Sequence, residues 1–146
     1  MGIFLFNILK IRTLHLPNKF LMIDTLNFEF GEIRVFENFV LVVMKEGITV
    51  KPEYNDDLEN IAKKYYKGKK FGYITYRKNS YAVNPMVYIK TSEIENLVAF
   101  AVVSANGLKA SNLEVERRFL KKPLKHFTNL DEAKNWVKEM IENLPR

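Results

Sequence analysis

Two unbroken apolar runs, Phe39–Met44 (FVLVVM) and Leu97–Ser104 (LVAFAVVS), most narrow what this chain can fold into. Strand residues point alternately to opposite faces, so a strand with no polar position has no face to give to water. Runs this short are of strand length rather than helix length. Both must therefore lie inside a sheet that is covered on its two faces. A third segment, Phe71–Tyr76, is of the same kind. Between these strands the pattern changes to a helical period, and strands alternating with helices imply a parallel sheet with right-handed crossovers.

The first of those helices is punctuated at both ends. Pro52 suits a first turn and Gly68 suits the position just beyond the last. Tyr54, Leu58, Ile61, Ala62 and Tyr65 form one apolar stripe, with acids at the start and lysines at the end, as the helix dipole favours. Ahead of it, Leu26, Phe28 and Phe30 alternate with polar residues, and the phase shifts after Gly31, which marks a bulge or turn. Glu37-Asn38 reads as a hairpin tip. Downstream, Asn84 caps a short helix whose first position is Pro85, with Tyr88 and Ile89 facing inward. Ser111 and Glu114 have capping-box spacing for the next helix, which ends before Pro123. Leu124–Phe127 suits an edge strand. Thr128 or Asn129 caps a last helix whose apolar face includes Leu130, Ala133, Trp136, Val137, Met140 and Ile141. The expected fold is α/β: an N-terminal β-hairpin followed by βα units, with a mostly parallel sheet of four or five strands covered by about four helices.

At 146 residues the chain suits one domain, placed here at 23–146. Residues 1–22 differ from it. Ile3–Ile11 is strongly apolar but well short of the roughly 20 residues that span a membrane. Lys10, Arg12 and Lys19 beside apolar residues would suit peripheral contact of residues 3–19 with a membrane surface. The preferred reading makes Met22 the start, with residues 1–21 an extension packed loosely or not at all. The absence of cysteine excludes disulfides and thiolate chemistry and is compatible with a cytoplasmic protein.

The ending FTNLDEAKNWV (127–137) resembles the closing helix of sulfate-transporter and anti-sigma-factor-antagonist (STAS-like) domains. RKNSYAVNP (77–85) with IENLVAFAVVS (94–104) is similar to small uncharacterised bacterial proteins of that type. The resemblance spans about residues 24–144 and implies a hairpin followed by βα units. In anti-sigma-factor antagonists a serine after the middle strand is phosphorylated within an Asp-Ser motif. That motif is absent here, and Ser80 is only the nearest serine.

The net charge of +6 is concentrated: residues 60–92 carry eight basic side chains and no acid. Within them the stretch after Tyr76 gathers polar groups beyond the carboxyl end of an internal strand, where α/β proteins meet ligands. Tyr76, Arg77, Lys78, Asn79, Ser80, Tyr81 and Asn84 form the candidate partner- or ligand-binding set, and with the N–H groups of the Pro85 helix they suit a small anion. No catalytic residue, metal ligand or cofactor motif is recognised; His15 and His126 read as surface or packing residues. The leading expectation is a non-enzymatic domain that binds a protein partner or itself through residues 76–88. Binding of a lipid or small anion at a membrane surface is the alternative. The tyrosines near the lysines fall at helix and strand periods, which argues against a nucleic-acid stacking platform.

Overall fold

The computed structural model describes residues 20–105 and 110–144. Its centre is a six-stranded mixed sheet in the order β1 (Met22–Phe28), β2 (Gly31–Phe36), β3 (Phe39–Met44), β5 (Phe71–Tyr76), β7 (Leu97–Val103), β8 (Leu124–Phe127). The pairs β1–β2 and β2–β3 are antiparallel, and β3–β5, β5–β7 and β7–β8 are parallel. The α/β class is thus as expected, but the sheet is larger and less parallel than expected. The N-terminal hairpin continues antiparallel into β3, because only two residues separate β2 from β3 and a connection that short reverses the chain. A two-stranded parallel ribbon, β4 (Thr49–Val50) with β6 (Ala82–Val83), lies outside the main sheet and was not anticipated.

Among the described residues, four α-helices are interleaved with the strands: α1 (Asn55–Ile61), α2 (Met86–Ser92), α3 (Ala110–Phe119) and α4 (Leu130–Glu142). Each parallel strand is added on the same side of its predecessor, so right-handed crossovers place the connecting helices on one face. Only α4, which follows the last strand, is free to cover the other. The two cores agree. One joins Ile33, Val35, Val40, Val42 and Phe71 to Leu58, Ile61 and Tyr66. The other joins Phe39, Leu41, Ile74, Ala99 and Ala101 to Ala133 and Val137 of α4, with Trp136 partly buried against it. None of the described helices is long and apolar enough to cross a membrane.

Several local expectations are corrected. After α1 the chain widens into a π turn, Ala62–Tyr66, and this longer turn moves the apolar stripe by one position. Tyr66, not Tyr65, is therefore buried; its ring stacks on Phe71 at 4.3 Å and its hydroxyl donates to the Phe36 carbonyl at 2.7 Å. Tyr65 instead donates to the Asp24 carboxylate of β1. Ile89, expected inward, is 37% exposed, because α2 buries only Tyr88 and Thr91. Helix α3 already includes Ser111, so that residue is not its cap. Asn129 does cap α4, accepting from the Glu132 N–H at 3.1 Å. Of the N-terminal extension, Phe20 packs edge-on against Phe39 at 5.7 Å, and the Leu21 carbonyl accepts from the Glu37 N–H. Residues 3–19, including His15, lie outside the described residues.

Candidate functional site

Strand alternation decides what the polar stretch presents. On β5, Tyr73 and Thr75 face helices α1–α3, while Ile74 and Tyr76 face α4. Arg77 continues the first set, so Tyr76 and Arg77, adjacent in sequence, sit on opposite faces of the sheet. Lys78 turns back over the Tyr76 ring, its Nζ 5.0 Å from the centroid. The candidate set is therefore split. Tyr76 and Lys78 belong to one side, Arg77 and Tyr81 to the other.

Arg77 does not project into solvent. Its guanidinium pairs with Glu116 of α3, and the two side chains are only 13% and 4% exposed. Burial alone would discourage the Arg77 charge, but the Glu116 carboxylate outweighs it and holds the group protonated above its usual range. Burial foremost, then the Glu116 charge, raises the Tyr88 phenol above its ordinary pKa. The pair is not saturated: Arg77 Nε and Glu116 Oε2 have no hydrogen-bond partner among the described residues. Tyr81 stands 6.0 Å from the guanidinium, and its hydroxyl shares a 3.2 Å hydrogen bond with Thr75 Oγ1.

These groups close one end of a cavity of about 40 Å³ between β5 and the helices. Its polar lining includes Thr75, Arg77, Tyr81 and Tyr88 and, bonded to each other, Asn55 and Thr91; apolar residues such as Met44, Val50, Leu58 and Phe100 also line it. The 77–84 segment forms the rim and is tied down along its length. Asn79 Nδ2 donates to the Met44 carbonyl at 2.8 Å, the Ser80 N–H to Glu46 Oε2 at 2.8 Å, and the Gly47 N–H to the Ser80 carbonyl at 2.7 Å. The β4–β6 ribbon continues that attachment. Lys78, Asn79, Ser80 and Asn84 are exposed, and the Asn84 side chain accepts from the Met86 N–H at 3.0 Å. With seven residues, α2 is a weak source of dipole for an anion.

Glu116 is the site residue that sequence reasoning missed. The signal was present: Leu113, Glu116 and Leu120 fall at i, i+3 and i+7, so an acid occupies the apolar stripe of α3. An acid there must find a cation, and the unmatched arginine lay one strand away. His126 is half-buried on β8, with Nε2 lacking a hydrogen-bond partner among the described residues. Among the described residues, no group of three or more His, Cys, Asp and Glu side chains could hold a metal ion. No protein-family model, curated protein or solved structure matches the chain, so the site must be read from its own geometry.

Proposed function

We propose that this is a non-enzymatic, STAS-like binding domain whose 76–88 segment engages a protein partner. The observation that carries this reading is the pre-organised rim. It is held by the Asn79 side chain on Met44 and by the Ser80 backbone on Glu46 and Gly47, while Lys78, Asn79, Ser80 and Met86 stay exposed on it. A surface ordered before binding loses less entropy on association than a free loop would. The hairpin followed by βα units supports the STAS-like comparison. A small anion at this loop has weaker support, because the charge of Arg77 is already answered by Glu116.

The test is affinity capture from native lysate with wild type and a Lys78→Glu/Met86→Ser variant. Both changes lie on exposed side chains and leave the buried pair intact, so a matching melting temperature shows an unchanged fold. Loss of a specific partner from the variant supports the reading, and identical capture profiles overturn it. Size-exclusion of the purified chain reports whether that partner is a second copy.

A further inference from the structure

The inward side of the same segment carries a different chemistry. We infer that the cavity beneath residues 77–84 is a binding site for a small uncharged molecule, or uncharged end group, that both donates and accepts hydrogen bonds. A primary carboxamide is its simplest form. Size is the first argument. Pockets for drug-sized ligands run to about 300–1,000 Å³, so a cavity of about 40 Å³ takes only a small group or the end of a larger molecule.

Charge is the second argument. Arg77 is the cavity's cation, and Glu116 neutralises it from α3. An incoming carboxylate or phosphate would have to share Arg77 with that buried acid, at the cost of like-charge repulsion and its own desolvation. A neutral group meets no such repulsion and a smaller desolvation cost.

Hydrogen-bonding capacity is the third. Thr75 and Tyr81 each bring one hydroxyl proton, and the 3.2 Å bond between them uses one. One proton is left to donate to a ligand, and oxygen lone pairs are left to accept from it. The Arg77 guanidinium, which also lines the cavity, adds donors. A carboxamide offers a carbonyl to such donors and an NH₂ to such acceptors. Asn55 and Thr91 also line the cavity but are bonded to each other and to the Val87 carbonyl; the remaining lining is apolar and aromatic, Tyr73 stacking on Phe100 at 4.6 Å, which suits the carbon end of the same ligand.

Lys78 and Met86 do not line the cavity, so exchanging those two side chains leaves its wall intact. The experiment is an NMR titration of the full ¹⁵N-labelled chain with acetamide and, separately, with acetate. Acetamide is expected to give saturable shifts confined to the Thr75–Tyr81 amides and the Arg77 Nε–H. Its dissociation constant should be on the order of millimolar, because so few atoms cap the attainable affinity. Acetate is expected to bind about tenfold more weakly or not at all. Tyr81→Phe, which keeps the ring and removes the hydroxyl, should weaken acetamide several-fold. Glu116→Gln, if folded, should reverse the preference toward acetate. The proposal is overturned if neither probe shifts these resonances saturably, or if acetate binds wild type as tightly as acetamide. The Lys78→Glu/Met86→Ser variant should titrate like wild type, so the two readings can fail separately.

Discussion

Arg77 shows how little the identity of a residue says about its role until its direction is known. Read in sequence, it is a basic group in a polar loop. Read in the fold, it is one half of a buried ion pair whose other half lies 39 residues away. Such a pair contributes little net stability while intact, yet removing one member strands the other's charge in the interior. Glu116→Ala is therefore expected to cost about 3–5 kcal/mol in urea denaturation. The double variant Arg77→Met/Glu116→Leu should recover most of that loss, since an apolar pair of similar volume carries no desolvation cost. A double variant no more stable than Glu116→Ala would show that the pair holds more than its own charges.

Element by element, close approaches set the fit. At Gly72 on β5 an added β-carbon would collide with Cγ1 of Val137, a fully buried residue of α4. Gly72→Ala should cost about 1–3 kcal/mol through overpacking, and adding Val137→Ala should return part of it. Thermal melts of the three variants check this. Gly31 is less forgiving, because its β-carbon would meet the Val43 carbonyl oxygen, a backbone atom with no rotamer to yield. At the start of α4, Asn129→Ala removes the acceptor for the Glu132 N–H and should cost about 1 kcal/mol. Chemical denaturation of the single variant measures it. Strand β5, helix α4 and its cap were legible because each is decided by neighbours in sequence. The Tyr65–Tyr66 exchange was not. The π turn that causes it leaves no mark in an apolar stripe that continues smoothly as an α-helix.

For the molecule as a whole, the buried phenols tie stability to alkaline pH. Burial raises both Tyr66 and Tyr88 above the ordinary value of 10.0. The folded protein thus keeps protons that the unfolded chain releases near pH 10. The contribution is fully present below that pH and is lost as pH rises toward the folded-state pKa values. Each tyrosine should lower unfolding free energy by about 1.4 kcal/mol per pH unit in that window. Urea denaturation between pH 8 and about 11.5 should show this fall. Tyr66→Phe should start from a lower stability, having lost the bond to the Phe36 carbonyl, but decline less steeply. A variant profile parallel to wild type would refute the assignment.

By itself the sequence determined the α/β class, the positions of β3, β5 and β7, the cap and apolar face of α4, and the absence of thiol chemistry. These follow from periodicity and composition, which local sequence contains. The tertiary structure alone decided the sheet order, the β4–β6 ribbon, the face to which each loop side chain turns, and the partnership of Arg77 with Glu116. Those depend on crossover handedness and on which segments meet across the sheet, and no window of neighbouring residues records that. The stretch that read as one polar loop is, in three dimensions, an exposed rim on one side and the wall of a small cavity on the other.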